Sequence, residues 1–291
     1  MSIDVTIRNK LFSNKTMPLD VILGDSLIYG KFVDDHLIPG ELGEGEFIAY
    51  CPEAIGRGFS VVWNPREKKR IDLRLPQPST PQELKQFYST VERICNYWQG
   101  KLIADGNALS LTMFLNGFDD VLCFNSRWLQ QLSRQILDGE SDSWTLYSAK
   151  YPVDMGREEA ERFLSDEEYF AQWLHEKQSV DACFSSPVFY STDSGITGVY
   201  FISAGTPYLL PESPAVPFGM MNPATGKPLE CGIWRAVIVS EGAQEPEAEM
   251  DYAEFVNRIP QEMREKFDGK RFITRAFTKQ ELQGLAEKCM K

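Results

Sequence analysis

Histidine and cysteine are the residue types in this chain that could supply a general base or a nucleophile near neutral pH. The histidines are His36 and His175. His36 directly follows Asp34 and Asp35, so a carboxylate could orient its imidazole in a nucleophile dyad, with Cys51 as the nearest thiol in sequence. This spacing is not diagnostic, and a loop histidine that is hydrogen-bonded to an aspartate fits it better. His175 lies near the end of a predicted helix, where a structural role is also favoured.

The sequence contains none of the common catalytic or metal-binding motifs. There is no G-x-S-x-G elbow, H-E-x-x-H pair, EF-hand loop or G-x-G-x-x-G turn. The six cysteines are far apart and form no C-x-x-C pair, which argues against a disulfide framework and a zinc site. Adjacent acidic pairs carry no catalytic information in a chain with 42 acidic residues. We therefore predict no metal and no cofactor, leave the catalytic residues unknown, and favour a protein that is not an enzyme.

The charge balance restricts the partners. The 42 acidic and 30 basic residues give a formal net charge of −12, which repels a phosphate backbone. This predicts no nucleic-acid partner and no docking on anionic lipid, although a local basic patch can override net charge at close range, because salt screens beyond roughly 10 Å. No apolar run approaches the roughly 20 residues that span a bilayer, and no export signal is recognised at the N-terminus. We predict a cytoplasmic protein with reduced cysteines.

One basic cluster departs from this acidic balance. Two alternating runs, 59–63 and 71–75, flank the turn sequence Asn64-Pro65-Arg66 and predict a β-hairpin. The cluster could bind an anionic partner, but a hairpin tip is commonly charged simply to stay in water, and this solvated interpretation is favoured. Its candidate interaction residues are Arg57, Arg66, Lys68, Lys69 and Arg70.

A proline-rich segment over 206–228 is the second candidate interaction site. It holds six prolines, so it is a poor strand, yet it is too apolar for a linker. If uncovered, its apolar side chains would form an adaptable binding surface, and if covered they would close a core. The sequence leaves both alternatives open. The residues concerned are Tyr208, Leu209, Leu210, Phe218, Met220 and Met221.

The helices and strands predicted around these residues indicate an α+β fold with antiparallel hairpins and packed helices. Thr80-Pro81-Gln82-Glu83 is a capping box that begins a helix reaching Trp98. Further strands are predicted at 121–124, 187–191, 196–203 and 233–239, and helices at 157–177, 251–267 and after Thr278. We divide the chain into lobes 1–151 and 152–291, an arrangement compatible with one shared sheet.

Several of these segments resemble a known family. They are Gly56-Arg-Gly-Phe59, Trp63-Asn-Pro65, Ile71-Asp-Leu-Arg-Leu-Pro76, and Thr80-Pro81 followed by Glu83, Phe87-Tyr88 and Trp98. This pattern is similar to a bacterial family described only as a domain of unknown function, family 4299. The resemblance implies a bacterial cytosolic protein and supplies no catalytic residues.

The leading functional hypothesis is a non-catalytic protein-interaction or regulatory module that binds a protein partner, in particular a basic one. It rests on the negative charge, the missing catalytic motifs and the apolar segment. An exposed apolar surface would be equally compatible with a homo-oligomer. The alternative is a hydrolase or transferase that uses carboxylates or a Cys/His pair.

Overall fold

The computed structural model describes residues 1–33, 36–40, 45–66, 68–192, 195–217, 219–223, 225–240 and 245–287. It confirms the α+β class. The chain divides into two compact units, unit 1 at 1–180 and unit 2 at 181–291. Each sheet in the described residues lies within one unit.

Unit 1 contains an antiparallel sheet of eight strands in its described part. Their spatial order is β3-β2-β4-β5-β6-β1-β7-β8. In chain order they are β1 (Ser2–Arg8), β2 (Ile28–Val33), β3 (His36–Pro39), β4 (Gly45–Tyr50), β5 (Phe59–Trp63), β6 (Arg70–Pro76), β7 (Lys101–Ala104) and β8 (Asn107–Leu109). The predicted hairpin is the antiparallel pair β5–β6.

Helices cover one face of this sheet. The helices of unit 1 are α1 (Leu19–Leu23), α2 (Pro81–Trp98), α3 (Leu111–Asn116), α4 (Phe118–Leu137), α5 (Arg157–Ser165) and α6 (Glu167–Gln178), and a short antiparallel pair is formed by β9 (Trp144–Leu146) and β10 (Val153–Met155). The buried face of α2, including Leu84, Phe87 and Val91, packs on inward-facing residues such as Val5 and Leu73. The apolar spacing of α2 therefore forms the core of unit 1.

The prediction of a strand at 121–124 is wrong, because these residues belong to α4. Phe118, Val121 and Leu122 pack towards the core, whereas Phe124 is exposed. This is helical spacing, and a four-residue apolar run is too short to reveal it.

The division between the units lies after residue 180, later than the predicted boundary at 151. The two helices that open the predicted second lobe, α5 and α6, follow one another at a sharp break at Asp166, and α5 packs against α4. Both helices therefore belong to unit 1.

Unit 2 contains two four-stranded sheets in its described part. The first has the order β11-β14-β18-β17 and the second the order β12-β13-β15-β16. In chain order the elements are β11 (Cys183–Phe184), β12 (Val188–Thr192), β13 (Gly195–Ser203), β14 (Tyr208–Pro211), β15 (Ile233–Val239), β16 (Ala248–Asp251), α7 (Tyr252–Arg258), β17 (Arg264–Lys266), β18 (Arg271–Thr274) and α8 (Lys279–Glu287). The predicted helix over 251–267 ends at Arg258, where Pro260 prevents its continuation.

A buried polar cluster joins α2 to the sheet of unit 1. The carboxylate of Glu83 accepts hydrogen bonds from the backbone N–H of Gly58 at 2.6 Å and of Thr80 at 2.9 Å. Burial raises the pKa of Glu83, while these bonds and the nearby Arg57 guanidinium act to lower it. A Cβ at Gly56 would lie 2.7 Å from this carboxylate, so the chain needs glycine there.

We predict that Glu83→Ala destabilises the protein by about 3–5 kcal/mol, because it leaves two buried backbone donors without their acceptor and the buried Arg57 guanidinium without a nearby negative charge. Glu92→Ala, at an exposed position of the same helix, is the control and is expected to change stability by less than about 0.5 kcal/mol. Chemical denaturation measures both free energies of unfolding. Equal losses in the two variants would contradict a structural role for the Glu83 carboxylate.

The cap of α8 supports a pH prediction. Arg275 hydrogen-bonds the Glu281 carboxylate, which also accepts from the backbone N–H and hydroxyl of Thr278 at 2.8 and 2.9 Å. These bonds lower the pKa of Glu281 to about 2. Because the folded pKa lies below the unfolded value of about 4.3, the stabilisation is present above the unfolded value and is lost as the pH falls towards 2.

We therefore expect Glu281→Gln to lower the melting temperature at pH 7, and the difference from the parent protein to shrink between about pH 5 and pH 2. Thermal unfolding followed by circular dichroism across this range measures it. Glu230→Gln, at another exposed position of unit 2, is the control and should show no such convergence. If the difference in melting temperature between Glu281→Gln and the parent protein were independent of pH, this would refute the lowered pKa of Glu281.

Candidate interaction surfaces

The predicted basic cluster is present at the turn between β5 and β6. Arg66, Lys68, Lys69 and Arg70 are all exposed there. The sheet register adds two cations that the sequence analysis did not associate with them: Arg8 pairs with Arg70 on one side and with Lys101 on the other. Three cationic residues therefore stand in one row across β6, β1 and β7.

Arg57 is not part of this surface, which corrects its place among the candidate interaction residues. It precedes β5, at the opposite end from the hairpin turn, and is buried. Its guanidinium donates to the carbonyls of Tyr147 and Pro78, each at 2.9 Å. Burial lowers the pKa of Arg57 to about 10, while Glu83 acts to raise it. The sequence could not show this, because Arg57 and the residues of the hairpin turn are close in the chain but lie at opposite ends of β5.

The proline-rich segment is divided between core and surface. Tyr208, Leu209 and Leu210 form β14 and are buried, so this half closes the core instead of presenting a binding surface. Met220 and Met221 are 38% and 50% exposed on a small loop, where Leu229 N–H donates to the Met220 carbonyl at 3.0 Å. Phe218 lies outside the described residues.

Two core tyrosines hold the chain that connects β14 to this loop. The Tyr252 hydroxyl donates to the carbonyl of Pro211 at 2.8 Å, and Tyr200 makes a hydrogen bond with the backbone of Ala215. Burial raises the pKa of Tyr200 to about 12. The proline-rich connection is therefore held against unit 2, and in its described part the exposed large apolar side chains are those of Met220 and Met221.

The backbone separates the proposed Cys51/His36 pair. Ile28 of β2 pairs with Tyr50, which precedes Cys51, whereas Val33 at the far end of β2 pairs with His36. Five residue steps correspond to about 17 Å along the strand, and the two residues lie on opposite sides of β2. A nucleophile and its base must approach to about 3 Å, so these two positions do not form a dyad. The His36 side chain lies outside the described part of the chain.

Cys51 and His175 instead have local structural partners. The Cys51 thiol donates to the Glu53 carboxylate at 3.2 Å, which lowers the pKa of Glu53. His175 Nδ1 accepts the backbone N–H of Ile55 at 3.2 Å, which leaves that nitrogen occupied. The histidine thus connects α6 to the loop after β4. Within the described residues no three His, Cys, Asp or Glu side chains are grouped as metal ligands.

A further surface, which the sequence analysis missed, is the outer face of the β12-β13-β15-β16 sheet. Its inner face contributes Tyr200, Ile202 and Ala236 to the core of unit 2. The alternate residues of these strands, and their partners on β12, therefore point outwards. Three of these outward-facing large apolar side chains are exposed: Val188 by 44%, Tyr190 by 47% and Phe201 by 36%. The signal was the unbroken apolar run over 198–202, since a strand that is apolar at every position has two apolar faces.

The register makes these residues one patch. Val188 of β12 pairs with Val199 of β13, and Phe201 is two residues further along β13, beside Val237 of β15. Val199 and Val237 are themselves buried in the middle of this face. We name the set Val188, Tyr190, Val199, Phe201 and Val237 the outer patch.

Acidic residues border the outer patch on one side. Val237 and Arg235 of β15 pair with Glu249 and Asp251 of β16, and both acids are exposed. Arg235 Nε lies 3.4 Å from the Glu249 carboxylate. The edge strand β16 thus gives the apolar surface an anionic margin.

A cleft of about 280 Å³ lies at the end of the same sheet. Pro214, Trp234, Arg235 and Asp251 contribute to its lining. Trp234 packs over Gly198, where a Cβ would come within 2.4 Å of the indole, so only glycine permits this position. Arg235 and Asp251 face the same side as the outer patch, whereas Trp234 packs against the core of unit 2 on the inner face.

Comparison with known proteins identifies the family. A family model described as "Domain of unknown function (DUF4299)" matches residues 2–285. The chain belongs to the DUF4299 family. No curated protein matches the chain.

The DUF4299 match covers both units, so the basic row of unit 1 and the outer patch of unit 2 both lie within the family domain. The family description names no activity. Any function assigned to this DUF4299 member must therefore be argued from its surfaces.

Proposed function

We propose that this DUF4299 protein is a non-catalytic interaction module of the bacterial cytosol, and that the outer patch binds a basic, partly apolar segment of another protein. The observation that carries the proposal is the exposed apolar face of the β12-β13-β15-β16 sheet with its acidic margin. The face of a sheet usually carries either core residues or polar residues in contact with water. An exposed apolar face with a polar rim is typical of an interaction site.

Charge complementarity supports a basic partner. Glu247, Glu249 and Asp251 are exposed at or next to the edge strand, and Arg235 lies beside the margin, paired with Asp251 and 3.4 Å from the Glu249 carboxylate. The whole chain carries a formal charge of −12, so its long-range field attracts cationic segments and repels a second copy. A partner segment with lysine or arginine beside an apolar stripe would match this surface, because its cations would face the acidic margin and its stripe would cover the outer patch.

The cysteines support an intracellular location for this interaction. Cys51, Cys95, Cys123, Cys183 and Cys231 are free in the described structure. Burial raises the pKa of Cys95 to about 11, which suppresses its reactive thiolate form. Thiols in this state are compatible with the reducing cytosol.

We predict that Val188→Lys reduces partner binding about tenfold or more, because it places a cation within the exposed part of the patch where a basic, apolar segment must dock. The matched control is Val62→Lys, on β5 of unit 1, since Val62 is 46% exposed and Val188 is 44% exposed. Both variants keep their backbone hydrogen bonds, so both are expected to fold.

The measurement is affinity capture from a bacterial lysate over a salt series, with quantitative mass spectrometry, followed by titration of the purified partner. We expect a basic protein that the parent and Val62→Lys retain, that Val188→Lys loses, and that binds more weakly in high salt. Retention of the same proteins by Val188→Lys would overturn the proposal. So would sedimentation showing a dimer of this chain that Val188→Lys dissociates, because the occupant would then be a second copy.

A further inference from the structure

Leu11 and Phe12 protrude from unit 1 without packing against it. Leu11 is 84% exposed and Phe12 is 97% exposed, the highest values among the described large apolar residues. They occupy a turn in which Ser13 N–H donates to the Lys10 carbonyl at 3.1 Å. We name Lys10–Ser13 the apolar tip.

The base of the apolar tip is fixed on the sheet. The Asn9 backbone N–H donates to the Lys69 carbonyl at 2.9 Å. The Asn9 side-chain amide donates to the carbonyls of Lys15 and Lys68 at 3.0 and 2.9 Å. The Trp98 indole donates to the same Lys15 carbonyl at 3.0 Å. The apolar tip therefore projects from a base that is held by hydrogen bonds to the β5–β6 turn and to α2.

Phe12 also adopts a left-handed backbone conformation, with φ of 69°. This conformation is unfavourable for a bulky residue, and such strain is found mostly at binding and switch sites. Folding gains no apolar burial from Phe12 that would offset it. A binding role accounts for both the exposure and the strain.

Cations surround the tip. Arg8, Arg70 and Lys101 stand directly opposite one another, an arrangement that reduces sheet stability because like charges repel across strands. Asp72 forms an ion pair with Arg70 at 2.7 Å. Glu67 lies outside the described residues. The remaining exposed cations around the tip are Lys10, Lys15, Arg66, Lys68 and Lys69.

We propose that this end of unit 1 docks on an anionic lipid bilayer, with Leu11 and Phe12 inserted between the head groups and the surrounding cations bound to lipid phosphates. A convex apolar projection surrounded by cations matches an anionic bilayer, whose interface takes up the apolar side chains while its phosphates bind the cations. Apolar insertion combined with a basic patch is the pair of signals that gives stable peripheral binding. The net charge of −12 opposes approach only at long range, because salt screens it beyond roughly 10 Å.

Vesicle co-sedimentation tests the proposal. One set of vesicles is phosphatidylcholine alone, and the other contains phosphatidylcholine and phosphatidylglycerol. We expect the full chain to sediment with the second set only, and less in high salt. The double variant Leu11→Ser, Phe12→Ser is expected to bind the anionic vesicles at least about tenfold more weakly than the parent protein, because it lacks the inserted apolar surface.

Met220→Ser, Met221→Ser is the matched control, since it removes an exposed apolar pair on a loop of unit 2 and is expected to bind vesicles like the parent. A direct readout of insertion is Phe12→Trp, whose added fluorescence should be quenched by brominated lipid in anionic vesicles. Val188→Lys should leave vesicle binding unchanged, which separates this proposal from the function proposed for unit 2.

Three results would overturn the inference. The first is failure of the parent protein to bind phosphatidylglycerol vesicles. The second is equal binding by the Leu11/Phe12 double variant, which would indicate surface attraction without insertion. The third is binding to soluble polyglutamate as tight as to vesicles, which would identify an acidic polypeptide as the partner.

Discussion

Glu83 occupies the first turn of α2, and its buried carboxylate holds the backbone of Gly58 at the start of β5 and that of Thr80 at the helix cap. Arg57 lies beside it and binds the carbonyl of Tyr147. Glu83 thereby joins the sheet to its covering helix, and Arg57 joins the same region to the chain before β10. A buried charge of this kind is stable only when its hydrogen bonds are satisfied, so these segments must assemble together.

Sheet geometry then determines what the two units expose. In unit 1 the side chains opposite the helices carry the row of Arg8, Arg70 and Lys101, whereas in unit 2 the corresponding face carries the outer patch. Alternation along each strand fixes which side chains face outwards, and register fixes which of them become neighbours. An acidic chain can therefore present a strongly basic surface in one unit and an acid-bordered apolar surface in the other, because net charge describes only the distant field.

The sequence by itself determined the elements whose signals are local. The capping box at Thr80 and the last helix after Thr278 form as predicted, because their hydrogen bonds join residues three apart. The hairpin of β5 and β6 follows from alternation on both sides of a turn. The α+β class followed from these elements together. The match of the chain to DUF4299 also agrees with the resemblance seen in residues 56–98.

Only the tertiary structure decided which residues are available for binding. Arg57 and Tyr208–Leu210 are candidates in the sequence but are buried in the fold, since burial depends on what packs from distant segments. Leu11 and Phe12 were not recognised, because an exposed apolar pair has the same sequence signal as a buried one. The alignment of Lys101 with the hairpin cations arises from strand order, which joins residues far apart in the chain. Local patterns record secondary structure, whereas surfaces are produced by contacts between segments that no local pattern encodes.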